Sequence, residues 1–377
     1  MSRSSFGSIL FITMAAKSVG HRYRVINHAE AFERLGLRTC IADATQADVA
    51  LAILHDLSVV IIFRPILTEK FDLWCKLARE KHIPIIVDLD DLTFDVDCQR
   101  KGEWSYWSTL SADDQQLWHK RFMLQRQALL KSDGAFVSTE TLANEVRSIG
   151  ISAWVWPNGF NRQSWKLHAQ ARSTRWTSDK LKSSAIMIGY ASGTPTHSAD
   201  FDVVVPALAQ LLRTFDYLYL CIVGEIDIDD YPLLHPFREQ IMKRELVPYV
   251  DLPFEYARFD INIAPLEMPS RFCAAKSELK FFEAAASGVP TVASPTPPYA
   301  TLIKSRRNGC LAQTTAEWVD QISWLVASAS RRRRIATRAL DTVRRHFSPD
   351  AQVRDARRIL HSRFWPSSAL ASKNGHY

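Results

Sequence analysis

Short runs of apolar, β-branched residues alternate along the chain with longer segments whose apolar positions follow the helical period. In the first half this pattern predicts strands at 9–13, 59–63, 83–87, 135–138 and 153–156, and helices at 24–35, 69–81 and 114–131. In the second half it predicts strands at 185–190, 217–223, 261–265 and 290–294. Alternation of strands and helices indicates βαβ units and parallel sheets, so the predicted fold class is α/β.

A break in this pattern divides the chain into two parts. Asn158-Gly159 after Pro157 is a strong turn signal, and the polar stretch 161–184 shows no clear apolar period. A length of 377 residues also suits two domains. We therefore predict two doubly wound, Rossmann-like domains, with the bounds that follow. The first domain spans 1–165, a linker follows at 166–184, and the second domain spans 185–345. A C-terminal helix at 346–365 crosses back to the first domain, and a disordered tail follows at 366–377.

The composition excludes disordered and fibrous proteins and leaves the kind of binding partner open. Hydrophobic residues make up 47% and charged residues 23%, as in soluble globular chains. The six cysteines show no paired or metal-binding spacing, which predicts reduced thiols. No segment approaches the roughly 20 apolar residues of a membrane span, so a soluble or peripheral protein is expected. The net charge of +7 allows an anionic partner, although the arginine run at 331–334 is predicted to be a solvated helix face.

The segment 275–290 carries the clearest candidate chemistry. Ser277 suits a helix N-cap, and free N–H groups at that helix start, beside Lys276, would form an anion site for a pyrophosphate. Lys276, Lys280 and Glu283 share one face of this helix, and an anion or Glu283 would offset the repulsion between the lysines. A solvated helix in which Lys280 pairs with Glu283 is the open alternative.

Further candidates follow other predicted strands, where open α/β folds bind ligands. In the loop 189–197, Gly193 allows close backbone approach, Thr194 offers a hydroxyl, and His197 is a weaker candidate; a plain turn is the alternative.

The first half has an acidic and a basic group of candidates. Asp88, Asp90 and Asp91 would face the cleft as a general base or as groups that orient a sugar, with helix caps or a cation site as alternatives. Arg22 and Arg24 suit a phosphate or an anionic sugar, and solvated surface charge is the alternative.

Several of these segments, taken in order, resemble glycosyltransferase family 4 and its relatives. The helix and Gly-Val-Pro turn at 276–290 resemble the donor-binding signature of that family. The stretches His21-Arg22-Tyr23-Arg24, Asp88-Leu89-Asp90-Asp91-Leu92, Pro157-Asn158-Gly159 and the loop 189–197 match other motifs, and together they cover most of residues 9–347. The resemblance implies the GT-B fold, with an acceptor-binding N-terminal domain and a nucleotide-sugar-binding C-terminal domain across a central cleft.

The resemblance also implies a role for each candidate. Glu283 matches the second of two family glutamates and would accept hydrogen bonds from the donor ribose, whereas Ala275 stands in place of the first glutamate. The remaining roles are as follows. Asp88, Asp91 and Lys276 are expected to be catalytic, Ser277, Lys280, Gly193, Thr194 and His197 to bind the donor, and Arg22, Arg24 and Asp90 to bind the acceptor. No metal and no cofactor are expected, because the nucleotide-sugar is the substrate.

By resemblance, the protein is a retaining glycosyltransferase that acts on a glycan or lipid-linked acceptor. It would serve bacterial surface polysaccharide or lipopolysaccharide biosynthesis, in the cytoplasm or at the inner face of the cell membrane. A catalytically inactive GT-B module that acts as a glycan-binding scaffold and a GT-B sugar-nucleotide epimerase remain open alternatives. A nucleic-acid binder is suggested by the basic pI of about 9.1 alone, and the interleaved basic and aromatic motifs of such proteins are missing.

Overall fold

The computed structural model describes residues 7–53, 56–100, 103–177, 185–193 and 198–361. Within these residues the strands form two parallel six-stranded sheets. The first sheet consists of β1 (Ser8–Thr13), β2 (Arg38–Asp43), β3 (Leu57–Phe63), β4 (Ile85–Leu89), β5 (Gly134–Val137) and β6 (Ala153–Val155). The second consists of β7 (Ile186–Ser192), β8 (Leu218–Gly224), β9 (Ile241–Arg244), β10 (Ile261–Ala264), β11 (Thr291–Ala293) and β12 (Cys310–Leu311).

Helices connect the strands of both sheets. In the first half they are α1 (Val19–His21), a π-helical turn (Arg22–Ile26), α2 (Asn27–Glu33), α3 (Ala47–Ile53), α4 (Glu69–Glu80), α5 (Val96–Arg100), α6 (Ala112–Leu130), α7 (Glu140–Ser148) and α8 (Arg162–Thr177). In the second half they are α9 (Ser198–Asp202), α10 (Val205–Thr214), α11 (Leu252–Arg258), α12 (Arg271–Ala275), α13 (Leu279–Ala286), α14 (Pro297–Leu302), α15 (Thr315–Val326), α16 (Ala329–His346) and α17 (Pro349–Leu360). None of the described helices is long and apolar enough to cross a bilayer.

The strand order confirms the predicted α/β, doubly wound class. It is β2-β1-β3-β4-β5-β6 in the first sheet and β12-β11-β10-β7-β8-β9 in the second. In each sheet the order reverses beside the first strand, between β1 and β3 and between β7 and β10. Ligands of open α/β sheets bind outside the carboxyl ends of the strands at such reversals.

Burial on both faces explains why the inner strands were visible in the sequence. In β1, Ile9 and Phe11 belong to one hydrophobic cluster, whereas Leu10 and Ile12 belong to the cluster on the opposite face. Such strands are continuous apolar runs. The prediction missed the edge strands β2, β9 and β12, because they are short or carry exposed polar positions.

The region predicted as a linker contains helix α8 up to residue 177, and residues 178–184 lie outside the described part. The buried side chains on α8 include Ser164, His168 and Ala171, which recur at helical spacing. Because these residues are polar or small, the sequence showed no apolar period there.

Helix α17 packs on the first sheet although it follows the second in the chain. Ala356, Ile359 and Leu360 join the hydrophobic cluster of Ile9. Gly159 lets this helix approach, since a Cβ there would lie 2.1 Å from Gln352 Nε2. The predicted tail at 366–377 lies outside the described residues.

Candidate active site

Lys276 lies between α12 and α13 and forms an ion pair with Asp200 on α9. Its Nζ is 2.8 Å from Asp200 Oδ2, and Asp200 is only 2% exposed. Burial lowers the pKa of Lys276, but Asp200, Cys273 and Asp91 together outweigh burial and hold this pKa above its usual range. The Cys273 thiol also donates to Asp200, at 3.3 Å. Lys276 is therefore a protonated lysine that the Asp200 carboxylate holds in place and whose charge this carboxylate partly offsets.

Lys280, in the first turn of α13, is a different kind of lysine. It is half-buried, and its ammonium group has no hydrogen bond or ion pair with any described residue. Its Nζ lies 5.6 Å from the centre of the Tyr190 ring. Burial lowers the pKa of Lys280 to about 8, and the nearby charge of Lys276 adds to this effect. The predicted Lys280–Glu283 pair is absent from the described ion pairs.

The start of α13 differs from the prediction. Glu278, with ψ of 36°, is the N-cap, and the helix begins at Leu279. The hydroxyl of Ser277 instead accepts a hydrogen bond of 2.9 Å from Asn158 Nδ2 in the first half of the chain. The prediction of Ser277 as N-cap was therefore wrong, because a contact between the two halves uses its side chain.

The Glu283 carboxylate is 2% exposed and is held by two tyrosines. Oε1 accepts a hydrogen bond from Tyr23 Oη, and Oε2 accepts one from Tyr256 Oη at 3.0 Å. Burial raises the pKa of this carboxyl, and the two tyrosine bonds counter part of that increase. Contact with a donor ribose stays a prediction; because each carboxylate oxygen can accept two hydrogen bonds, a ribose hydroxyl either joins a tyrosine at Glu283 or replaces it.

Asp88 and Arg24 form a fully buried ion pair. Asp88 lies inside strand β4 rather than in a loop, and Arg24 donates to both of its oxygens at 2.7 and 3.1 Å. Burial raises the pKa of Asp88 to about 6, although Arg24 lowers it. Side chains without exposed surface cannot contact a sugar, so the predicted catalytic role of Asp88 and acceptor-binding role of Arg24 do not fit the structure.

Asp90 and Asp91 share Arg64, which directly follows strand β3. Arg64 Nε lies 2.5 Å from Asp90 Oδ1, and its Nη2 lies 2.6 Å from Asp91 Oδ2. The Asp90 side chain is 10% exposed, whereas that of Asp91 is 31% exposed. Gly20 permits this arrangement, since a Cβ there would lie 2.1 Å from Asp90 Oδ2. Asp91 is therefore the acidic candidate that solvent and an acceptor can reach.

Burial raises the pKa of the Asp91 carboxyl, while Arg64 acts in the opposite direction. Lys276 also lowers this pKa, which places the first acidic loop near the lysines of the second half. The charges of Asp91, Lys276 and Lys280 act on one another, so the structure brings these three residues to one region.

The remaining candidates fall into three groups. The Arg22 guanidinium lies 3.1 Å from the centre of the Tyr249 ring, and its charge lowers the pKa of Glu283, so it lies near the cleft. Gly193 follows β7 with open space on its Cα, while Thr194 and His197 lie outside the described residues. These donor and acceptor roles stay predictions.

Position 275, where the family glutamate is missing, is not in the cleft. Ala275 has no exposed surface, and its carbonyl oxygen accepts a hydrogen bond of 2.9 Å from Thr139 Oγ1. It lies in a hydrophobic cluster with residues of the first half. A carboxylate there would be buried, so any contact to the transferred sugar must come from another residue.

The sequence reasoning missed four side chains of this region: Tyr23, Arg64, Asp200 and Tyr256. Arg64 could have been found, because it follows a predicted strand at the carboxyl edge of the sheet. Tyr23 lies inside the first-loop motif, but the sequence analysis assigned roles there only to Arg22 and Arg24. No sequence signal distinguishes Asp200 or Tyr256 from other polar and aromatic residues.

Comparisons with known proteins agree with this architecture. Residues 206–358 match a family model described as glycosyl transferase-like. No curated protein sequence matches the chain. Anabaena Alr3699/HepE, solved in complex with UDP and glucose, is 14% identical with a TM-score of 0.64, over 94% of this chain and 100% of that one.

Two other solved structures are similar over nearly the whole chain. Sucrose-phosphate synthase from Thermosynechococcus elongatus is 13% identical with a TM-score of 0.65, over 94% of this chain and 98% of that one. A glycosyltransferase from Rickettsia africae is 14% identical with a TM-score of 0.64, over 98% of this chain and 100% of that one. Residues 206–358 are thus similar to glycosyl transferase-like proteins, and the shared architecture shows that the chain has the GT-B fold.

Proposed function

We propose that the protein transfers a sugar from a nucleotide-sugar to a glycan or lipid-linked acceptor, in the region between the two sheets. The single observation that carries this proposal is Lys280. A half-buried ammonium group without a carboxylate or hydrogen-bond acceptor is costly unless an anion completes it. The pKa of Lys280, lowered to about 8 by burial, has the same cause.

The start of α13 supplies a second part of this anion site. The backbone N–H groups of Leu279 and Lys280 have no acceptor among the described residues. Free N–H groups at a helix start attract phosphate. When the sugar leaves, the nucleoside diphosphate gains negative charge, and these groups with Lys280 and Lys276 stabilise it. HepE, which has the same fold, was solved with UDP-glucose, which supports this class of donor.

On the acceptor side, Asp91 has the accessible carboxylate. We propose that it orients the acceptor hydroxyl or accepts its proton, and that Arg22 contributes positive charge nearby. Retention of the anomeric configuration is proposed from the family resemblance. The anomeric proton signals of donor and product, followed by NMR during turnover, test it.

We further propose that transfer needs no divalent cation. Support comes from the arginine partners of the acidic loop: Arg24 holds Asp88, and Arg64 holds Asp90 and Asp91. A carboxylate paired with arginine competes poorly for a metal ion. Equal turnover with EDTA and with added Mg²⁺ is the expected result, and turnover that depends on Mg²⁺ would overturn this part.

A role in surface polysaccharide or lipopolysaccharide synthesis at the inner face of the membrane is also proposed. Support comes from the distribution of charge. Residues 329–361, which contain α16 and α17, have ten arginines and three aspartates, and the rest of the chain has 37 basic and 37 acidic residues. The whole net charge of +7 thus belongs to these two helices. Arg334, Arg338 and Arg357 are exposed and have no acidic partner among the described residues.

Calorimetric titration with UDP, GDP, CMP and dTDP and their sugar forms tests the proposed function. We expect saturable binding of one nucleotide class and its loss in Lys280→Met. Lys76→Met, which removes an exposed lysine of α4, is the matched control and should bind as the wild type does. No binding by the wild-type chain would overturn the proposal and favour a glycan-binding scaffold. Donor consumed without acceptor would favour an epimerase.

A further inference from the structure

One segment of the second half packs against residues of the first half. We define residues 267–275, between β10 and the site lysines, as the docking segment. Its residue Arg271 meets three carboxylates of the first half. Arg271 Nη2 lies 2.8 Å from Asp95 Oδ2 and 2.5 Å from Glu145 Oε2, and Nη1 lies 3.7 Å from Glu103 Oε2.

An aromatic contact lies beside this ionic one. Phe272 is 6% exposed and stacks on Trp104, with ring centres 4.8 Å apart and planes 21° apart. Trp104 also stacks on Phe122 of α6, so Phe272 completes an aromatic cluster of the first half. The aromatic cluster of the first half thus packs against the second half.

Hydrogen bonds extend the contact along the whole segment. Ser270 Oγ donates to the carbonyl of Glu103 at 2.5 Å, and Ser105 Oγ donates to the carboxylate of Glu267. At the far end, Thr139 donates to the carbonyl of Ala275. The segment is therefore fixed by the first half at its beginning, middle and end.

The next residue after the docking segment is Lys276, followed by Ser277 and the start of α13. The position of the proposed diphosphate site is thus set by a segment whose partners lie mainly in the other half. Loss of Arg271 removes the ion pairs that hold the docking segment on the first half, and it leaves three neighbouring carboxylates of the first half without their shared cation. We propose that Arg271 and Phe272 are positioning residues, which place Lys276, Lys280 and the first N–H groups of α13 for the donor by docking onto the first half. This inference rests on the proposed function.

Binding of UDP, GDP, CMP and dTDP to Arg271→Ala tests the inference well below the melting temperature. We expect roughly tenfold weaker binding and a lower kcat, as is typical of coupling between two sites. Arg306→Ala is the matched control, because the Arg306 side chain is about as exposed as that of Arg271 and forms an ion pair, 2.6 Å from Asp320, inside the second half. This control should lose no nucleotide affinity.

Two further variants keep the test decisive if Arg271→Ala folds poorly. Glu145→Gln leaves the docking segment unchanged and removes one partner, so it should weaken binding in the same direction but less. Arg271→Lys retains the charge and should restore part of the affinity. Wild-type affinity in both Arg271→Ala and Glu145→Gln would overturn the inference, whereas no binding by the wild type would overturn the proposed function instead.

Discussion

The hydroxyl of Tyr23 donates a hydrogen bond to the carboxylate of Glu283, although 260 positions separate the two residues in the chain. Tyr23 follows the first strand of the first sheet, and Glu283 lies on the helix that carries Lys280. The bond joins the two halves at the residue that the family resemblance assigns to the donor ribose. A ribose hydroxyl at the same oxygen either shares it with Tyr23 or replaces this bond between the halves.

We expect Tyr23→Phe to lower the free energy of unfolding by about 1–3 kcal/mol, because it removes a buried hydrogen bond to a carboxylate. Urea denaturation measures this change. If the ribose replaces Tyr23, a saturating nucleotide should shrink the difference between the variant and the wild type. Tyr256→Phe is the control, since its bond lies inside the second half. A difference that is unchanged by nucleotide would contradict the exchange.

Nucleotide binding should weaken above pH 8. Lys280 has a pKa of about 8 in the free protein, and a bound diphosphate keeps it protonated, so binding at higher pH must take up a proton. We expect affinity to fall by up to about tenfold per pH unit between pH 8 and 9.5, measured by calorimetry. Lys280→Arg stays charged and should bind without this pH dependence. An equal pH dependence in both proteins would argue against Lys280 as the phosphate ligand.

The buried pair Asp88–Arg24 should affect stability rather than chemistry. Asp88→Asn leaves the Arg24 guanidinium buried without its counter-ion, but burial also disfavours the ionised Asp88 carboxyl, so the net loss of unfolding free energy at pH 7 should be smaller than the roughly 3–5 kcal/mol of an ordinary broken buried pair. The double variant Arg24→Met/Asp88→Asn should lose less. The free energies of unfolding of the single and double variants, measured by urea denaturation, test this difference. A stable Asp88→Asn protein without transfer activity would instead restore the catalytic role predicted from the sequence.

The raised pKa of Asp88 predicts the direction in which the free energy of unfolding changes with pH. The folded pKa of Asp88 is about 6, above its usual 3.8, so the folded protein binds this proton more tightly than the unfolded chain does. The contribution of Asp88 is therefore present at low pH and is lost as the pH rises from about 4 to about 6. Urea denaturation across this range should show that loss in the wild type but not in Asp88→Asn. An identical pH profile in both would contradict this assignment.

The arginine-rich helices should bind anionic lipid. We expect the protein to bind vesicles that contain phosphatidylglycerol but not pure phosphatidylcholine vesicles, and salt should weaken this binding. Each basic residue near such a surface contributes about 1 kcal/mol, so Arg334→Glu/Arg338→Glu should bind at least roughly thirtyfold more weakly in a sedimentation assay. Lys76→Glu/Lys120→Glu has the same change in charge on exposed residues of the first half and is the control. Equal loss in both variants would indicate a non-specific effect of net charge.

The fold class and the helix that carries the proposed donor site could be predicted from the sequence because their signals are local. Strands such as β1 are buried on both faces and are therefore continuous apolar runs. The Gly-Val-Pro turn ends α13, because the backbone preferences of glycine and proline are local and can be read from the sequence. Lys280 and Glu283 were placed on this helix by their spacing alone.

Partners from distant segments of the chain were decided only by the tertiary structure. The pairing of Lys276 with Asp200, the burial of Asp88 against Arg24, and the bond between Tyr23 and Glu283 each join separate segments of the chain. The identity of an ionisable residue does not show whether its side chain will be paired with an opposite charge, buried or exposed to solvent. Which site lysine is left for a ligand depends on which loops meet when the chain folds, and Lys280, unlike Lys276, forms no ion pair with a described residue.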